Sequence, residues 1–235
     1  SNHCNLAVQL TAMAEGRWLV ISNRWHNIKA IWNNVHQNDA GIEKLMRLIL
    51  ASSNFVFPGM YLKQLYSGFT TRQQENFTDT FVLSKLIFPF AICYFGWYDN
   101  PIVFWILIWL MLETLMYVPT LIFASDIFKP PRSYRRSMLL VFINYFEIVL
   151  DFAVIYASIR GLNREFGHWY DPIYFSFSTA ASLGFGDFYP ETAPGKMMVS
   201  FQSVIFFIYV VLFINVYSNR VEHKGYFSRD SSHHT

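Results

Sequence analysis

The chain has 235 residues and a formal net charge of +2, and 53% of its residues are hydrophobic while only 14% are charged. Soluble domains usually carry about 25% charged residues, so the composition excludes an ordinary soluble domain. The small net charge excludes a broad basic surface for nucleic acid. The two cysteines, Cys4 and Cys93, provide neither a disulfide framework nor a metal-ligand spacing. We therefore expect an all-α membrane protein in the lipid bilayer, with no nucleic-acid partner and no cofactor.

Residues 1–80 form an amphipathic N-terminal region. Tryptophan and aliphatic residues recur there at helical spacing, and a second apolar run follows. The first run is Trp18, Ile21, Trp25, Ile28, Trp32 and Val35, and the second is Ile42, Leu45, Met46, Ile49 and Leu50. We expect helices that lie in the cytoplasm or on the membrane surface. A ligand-sensing module is the alternative, and the sequence indicates no gating ligand.

Apolar segments suited to crossing a membrane follow this region. A spanning helix needs about 20 mostly apolar residues, and three or four segments meet that length: 81–98, 101–123, 138–159 and 197–217. The turn Asp99-Asn100-Pro101 predicts that the first two form a tight antiparallel hairpin within residues 81–128. Lys85 lies near the start of the first segment, and its long side chain is expected to reach the membrane interface.

The connections between these segments predict their orientation. The loop at 129–136 carries four basic residues, which places it in the cytoplasm under the positive-inside rule. Alternation of the spans then puts both termini inside, with residues 218–235 as a short cytoplasmic tail and residues 160–196 outside. We expect a multi-pass protein of the plasma membrane.

A short segment between the last two spans predicts a half-helix that dips into the membrane. Residues 171–181 are too few to cross it. Asp171 is expected to cap a helix whose first residue is Pro172, a favourable start. The C-terminal end of such a helix carries a partial negative charge, which suits a cation at the middle of the membrane.

The residues after this half-helix predict a strand of exposed carbonyl groups. Gly184 and Gly186 alternate with bulkier residues, and glycine permits backbone angles that residues with a Cβ resist. Successive carbonyls can then face one direction and replace the water shell of a cation. Irregular backbone at membrane depth must be buried or line a water-filled path. Because one such strand cannot enclose a pore, several copies of the chain must surround an axis.

The nonapeptide from Thr179 to Asp187, followed by Phe188-Tyr189-Pro190, resembles the potassium-channel signature. The resemblance extends over residues 138–217, which correspond to an outer helix, a pore helix, a selectivity filter and an inner helix. It implies a homotetramer with one pore loop per chain that passes K⁺ passively. The carbonyls implied to bind K⁺ are those of Ser182, Leu183, Gly184 and Phe185, with Gly186 completing the filter.

The same resemblance implies supporting roles for residues around the filter. Asp187 is expected to brace the outer mouth against the pore helix, and Thr179 belongs to the turn before the filter. Tyr174 and Phe175 match aromatic positions that hold the filter at its diameter. The sequence departs from the signature at Ser182, where threonine is usual, and at Phe185, which lacks the hydroxyl of the usual tyrosine.

The last span predicts a gate below the filter. Phe207, Val210 and Ile214 share one helical face, and alignment from the filter places this face on the cavity, where it can close by dewetting. Ordinary helix packing is the alternative for this stripe.

Three acids lie within predicted spans, where charges are costly unless paired or hydrated. They are Glu113, Glu147 and Asp151. Glu147 and Asp151 share a helical face, and one hypothesis is that they titrate and gate the pore by pH. The alternative is that such acids pair with a neighbouring basic residue, for which Lys85, Arg135 and Arg136 are available.

Two rival functions remain at this stage, and no arrangement of residues indicates an enzyme. The first rival is a non-conducting membrane receptor or regulatory subunit on the same scaffold, although its filter would be free to decay. The second is a potassium transporter subunit, although such proteins carry four degenerate pore loops in one chain and this chain has one intact loop.

Overall fold

In the computed structural model, the described residues are 28–29, 32–33, 41–53, 71–123 and 134–221. The predicted positions Trp18, Ile21, Trp25 and Val35, the basic loop up to residue 133, and the tail after residue 221 lie outside them. The chain divides into two compact units, one of residues 1–61 with 119–129 and one of residues 62–118 with 130–235.

The first unit contains helix α1, Ile42–Ser53. Its position confirms the helix predicted from the second apolar run. Leu50 is buried, whereas Leu45 and Ile49 are exposed. The Lys44 ammonium lies 5.8 Å from the ring centroid of Trp32, within the range of a cation–π contact.

The remaining described helices are α2 (Thr71–Phe95), α3 (Pro101–Phe123), α4 (Tyr134–Ile159), α5 (Asp171–Ala180) and α6 (Ala193–Val221). Three of them contain stretches long and apolar enough to cross a membrane, namely Asn76–Phe95, Met138–Ile159 and Ala193–Ile214. A shorter apolar stretch covers Pro101–Met116. The protein is therefore an all-α membrane protein, as the composition predicts.

The turn between α2 and α3 forms where the sequence predicts it. Gly96 has a left-handed φ of 70° and ends α2, and a short 3₁₀ turn covers Trp97–Asp99. The Asn100 Oδ1 atom then accepts hydrogen bonds from the backbone N–H groups of Ile102 and Val103, at 3.0 and 3.5 Å. This side chain satisfies donors at the start of α3 that have no partner within the helix.

Helix α4 lies at the centre of the second unit. Residues 147–157 are buried without interruption, and α4 packs against α2, α5 and α6. This run is apolar apart from Glu147 and Asp151, and a mostly apolar circumference is typical of such a central position.

Ion pairs hold α2 beside α4, and the two helices run parallel. Two pairs join the helices themselves, Asp79 to Arg136 at 2.7 Å and Lys85 to Glu147 at 3.2 Å. A third joins Asp99 in the turn after α2 to Arg160 just after α4, at 3.2 Å. The α2–α3 turn therefore lies on the same side of the protein as residues 160–192.

The expectation that Lys85 reaches the membrane interface is wrong. Its side chain is only 6% exposed, and its Nζ atom lies 3.2 Å from Glu147 Oε1 and 3.7 Å from Glu113 Oε2. It also hydrogen-bonds Thr114 Oγ1, which in turn donates to Glu147 Oε1 at 2.8 Å. Glu147 is about 18–20 Å from either end of α4 at 1.5 Å per residue. Two carboxylates at that depth attract the ammonium more strongly than distant water does.

Candidate functional site

Helix α5 begins one residue earlier than predicted, and Asp171 does not cap it. Asp171 is the first helical residue, after Tyr170. Its Oδ2 atom accepts hydrogen bonds from the backbone N–H groups of Gly167 and His168, at 2.8 and 2.9 Å. The carboxylate thus stabilises the loop that leads into α5, because these donors come before the helix and not from its first turn.

The C-terminal end of α5 turns directly into the predicted filter. The Ser182 N–H donates to Thr179 O at 3.0 Å, and the Leu183 N–H donates to Ser178 O at 2.9 Å. These two bonds, with Ser182 in the left-handed region at φ 55°, form a Schellman motif. The motif satisfies helix carbonyls and fixes where the following strand starts.

The backbone of this filter strand alternates between two conformations. Residues 182, 184 and 186 have positive φ values of 55°, 58° and 82°. Leu183 and Phe185, which lie between them, do not. Regular extended backbone points successive carbonyls to opposite sides, whereas left-handed residues at every second position turn them toward one side. The two glycines adopt this conformation without a steric penalty.

Aromatic rings support the strand from the side of α5. The Tyr174 ring stacks on the Phe185 ring, with centroids 6.1 Å apart and planes 12° apart. The Tyr174 phenol also interacts with the Asp187 carboxylate at the end of the strand. Phe175 is buried, and its ring contacts that of Tyr156 on α4 edge to face at 4.8 Å.

The end of the strand is attached to the loop after α4 by Asn163. The Asn163 N–H donates to Tyr189 O at 3.0 Å, and its Oδ1 accepts from the Tyr189 N–H at 3.0 Å. Its Nδ2 lies 3.4 Å from Asp187 O. Next to this contact, the Arg164 guanidinium lies 4.2 Å from the ring centroid of Phe188. Sequence reasoning missed Asn163, since a lone loop asparagine carries no signal of its partners.

Comparison with known protein families gives a match to the segment from α4 to α6. A family model described as Ion channel matches residues 140–223. The segment is therefore similar to an ion-channel domain, and we refer to it as the channel domain. It contains most of α4, all of α5, the filter strand and α6, and it represents about a third of the chain. No curated protein and no solved structure matches the chain.

Two glycines of the channel domain, Gly161 after α4 and Gly195 in the first turn of α6, lie in close contact. A Cβ atom on Gly195 would lie 2.6 Å from the Gly161 carbonyl oxygen, and one on Gly161 would lie 2.7 Å from Thr192 Oγ1. The Gly161 oxygen also accepts hydrogen bonds from the N–H groups of Glu191 and Thr192. The end of α4 and the start of α6 therefore approach each other at backbone distance.

A buried polar chain lies behind the pore helix of the channel domain. Gln202 of α6 connects Tyr156 of α4 to Ser176 of α5. Sequence reasoning did not find it. The available signal was an amide side chain, next to Ser200 and Ser203, within an otherwise apolar span, where it is costly unless it is hydrogen-bonded.

The predicted gate residues of the channel domain lie on α6 below the filter. Phe207 and Ile214 are exposed in the single chain, as are Val204 and Val211 on the same side, and Val210 is half-buried. This exposed face is wider than the predicted stripe. The gate at Phe207, Val210 and Ile214 remains a prediction.

The strand after α5 exposes backbone carbonyl oxygens, which are groups that can bind a cation. Within the part of the chain that the structure describes, no cluster of three or more His, Cys, Asp or Glu side chains could hold a metal ion. Carbonyl oxygens on one side of a strand suit a weakly hydrated monovalent cation that must bind and leave quickly.

Proposed function

We propose that the chain is a subunit of a potassium-selective channel. The observation that carries this proposal is the alternation of backbone conformation at residues 182, 184 and 186, directly after a capped pore helix. The carbonyls of Ser182, Leu183, Gly184 and Phe185 then bind K⁺ in sequence. Each takes the place of water that the ion loses on entry. Flux is passive and follows the electrochemical gradient.

The polarity of α5 supports cation passage. The C-terminal end of a helix carries about half a negative elementary charge, and this end of α5 leads into the filter. The ion-channel family match supports conduction in general, while selectivity for K⁺ is our proposal from the filter strand.

The exposure of the filter in the single chain supports assembly with other copies. Residues 181–187 are exposed in the single chain, with Leu183 at 58% and Phe185 at 63%. Backbone of this kind at membrane depth must be buried in protein or line a water-filled path. Neighbouring copies around an axis meet both requirements, and we propose four of them. The mass of the purified particle in detergent tests this number, and a stable monomer or dimer would contradict it.

The proposed location is the plasma membrane with both chain ends in the cytoplasm. Arg136 at the start of α4 is on the side of the basic loop, and residues 160–192 are on the other side, next to the α2–α3 turn. The filter mouth then opens to the exterior.

Flux of K⁺ and Na⁺ into liposomes tests the proposal, with two glycine variants as a matched pair. Gly184 and Gly41 have similar φ values of 58° and 65°, and a Cβ meets no atom within 4 Å at either site in the single chain. Alanine therefore imposes comparable backbone strain at both, about 1 kcal/mol. Gly184→Ala is expected to abolish selective K⁺ flux, and Gly41→Ala to leave the flux per channel unchanged.

The outcome also separates the rival functions. A non-conducting receptor or regulatory subunit gives no flux of either ion. A transporter subunit gives K⁺ uptake that is far slower than channel flux in the native protein. Gly184→Ala then changes only this slow uptake. Equal loss of flux in Gly184→Ala and Gly41→Ala would show that strain, and not the filter position, is responsible.

A further inference from the structure

The polar chain behind the pore helix connects three helices of the channel domain through one side chain. Tyr156 Oη donates to Gln202 Oε1 at 2.6 Å. Gln202 Nε2 donates to both Ser176 O and Ser176 Oγ, at 3.1 and 3.0 Å. Ser176 Oγ donates onward to Val149 O at 2.5 Å. Both ends of the Gln202 amide are therefore occupied, one by α4 and the other by α5.

The hydrogen-bonded side chains of Tyr156, Gln202 and Ser176 are almost completely buried. Ser176 is 0% exposed, and Gln202 and Tyr156 are each at most 2% exposed. In surroundings of low dielectric constant, hydrogen bonds are stronger, and a polar group that loses its partner is costly. The glutamine thus has one favourable position, and α4, α5 and α6 must keep their spacing to satisfy it.

Ser176 transmits this constraint to the filter strand. It lies one helical turn or less before Ser178 and Thr179, whose carbonyls bind the N–H groups of Leu183 and Ser182. A displacement of Ser176 therefore moves the acceptors that fix the start of the strand. Phe175, the neighbour of Ser176, packs on the ring of Tyr156 and strengthens the same contact between α4 and α5.

We propose that Gln202 is a positioning residue for the selectivity filter and that the stability of the conducting filter depends on its amide. The inference rests on the proposed function, because it assumes that the strand conducts K⁺. Gln202 itself does not touch the ion. It acts through Ser176, and Tyr156 acts through Gln202.

The dependence of flux on K⁺ concentration distinguishes this role from a purely structural one. Bound K⁺ stabilises the conducting filter by mass action, so a filter that is less well supported needs more K⁺ to stay open. Loss of the amide leaves the buried Tyr156 hydroxyl without its acceptor, and Ser176 keeps only its bond to Val149 O and loses its link to α6. We therefore expect the K⁺ concentration for half-maximal flux to rise about tenfold. Poor folding alone lowers the number of channels and leaves this concentration unchanged.

The experiment measures K⁺ flux per assembled channel in liposomes over a range of K⁺ concentrations. The variants are Tyr156→Phe, Gln202→Met and the double variant. Ser203→Ala is the control because its hydroxyl bonds Val199 O of its own helix, at 2.9 Å. We expect a shift of a few-fold for Tyr156→Phe and about tenfold for Gln202→Met. The K⁺ concentration for half-maximal flux should rise no more in the double variant than in Gln202→Met, because Tyr156 acts through Gln202. Ser203→Ala should match the native protein.

Three outcomes would contradict the proposal that Gln202 positions the filter. Curves that coincide with the native curve in every variant would overturn the role of Gln202 while leaving the channel function intact. Additive shifts in the double variant would show that Tyr156 and Gln202 act separately, which also contradicts the proposal. An absence of flux in the native protein would overturn the proposed function and this inference with it.

Discussion

Ser182 shows how a single backbone angle shapes the filter. Its φ of 55° lies in the left-handed region, where a Cβ approaches the following carbonyl and glycine or asparagine is usually found. Threonine is the usual residue of the signature that this segment resembles. A β-branched side chain is more restricted in this region than serine, so the observed angle gives a physical reason for serine at this position.

Ser182→Thr tests this explanation, since it keeps the hydroxyl and adds a branch at the strained position. We expect the assembled protein to lose about 1 kcal/mol of stability. The melting temperature of the purified oligomer at fixed K⁺ concentration measures the loss. Ser203→Thr, in the middle of α6, is the control, with an expected change of a few tenths of a kcal/mol. Equal melting temperatures for Ser182→Thr and the native protein would refute the strain at residue 182.

Gly195 is constrained by space and not by its own backbone angle. In Gly195→Ala the new methyl would lie 2.6 Å from the Gly161 carbonyl oxygen, so α4 and α6 must separate. We expect a loss of about 1–3 kcal/mol, typical of overpacking, measured by thermal unfolding of the purified protein. Gly167→Ala is the control, because its methyl meets Asp171 Oδ2 at an ordinary 3.7 Å. A Gly195→Ala protein as stable as Gly167→Ala would contradict the close crossing.

At the scale of helices, Lys85 holds the α2–α3 hairpin against α4. Its ammonium faces Glu147 and Glu113, and Asp151 is buried one turn beyond Glu147. The structure therefore favours pairing of Glu113 and Glu147 with a basic residue. The hypothesis that Glu147 and Asp151 titrate and gate the pore remains a prediction. One cation among three acids makes its removal more costly than the loss of an ordinary surface pair.

Lys85→Met is expected to destabilise the protein by about 3–5 kcal/mol, because buried carboxylates lose their cation. Asp79→Asn is the control, since it breaks a partly exposed pair with Arg136 that is worth about 0–1 kcal/mol. Thermal unfolding in the same detergent compares the two variants. Equal effects of both substitutions would show that the Lys85 cluster is not a buried ion-pair network.

Sequence information was sufficient where short-range patterns determine the structure. Pro172 and the glycines at 184 and 186 lie within 15 residues of each other, and together they predict the half-helix and the strand after it. The partners of Lys85 and of Gln202 lie 26 to 62 positions away. They depend on which helix faces pack together, and an apolar pattern alone does not determine this. Asp171 was misassigned because its carboxylate has two alternatives, and the preceding loop provides the nearer donors.

For the whole molecule, the membrane explains why the single chain is incomplete. The filter strand and one face of α6 are exposed, whereas the middle of α4 is buried on all sides. Lipid cannot hydrogen-bond the irregular backbone of the strand, and in the proposed channel other copies of the chain and the permeant ion complete its environment. The ion-channel family match covers the region that has this exposed strand.

The reversal potential of channels in a planar bilayer, with KCl on one side and NaCl on the other, tests the central claim most directly. Carbonyls spaced by the alternating backbone of residues 182–186 should favour K⁺ over Na⁺. We predict a reversal potential displaced far toward the K⁺ equilibrium potential, with Gly41→Ala identical to the native protein. A reversal potential near zero in the native protein would mean equal permeability to both ions and would contradict a potassium-selective filter.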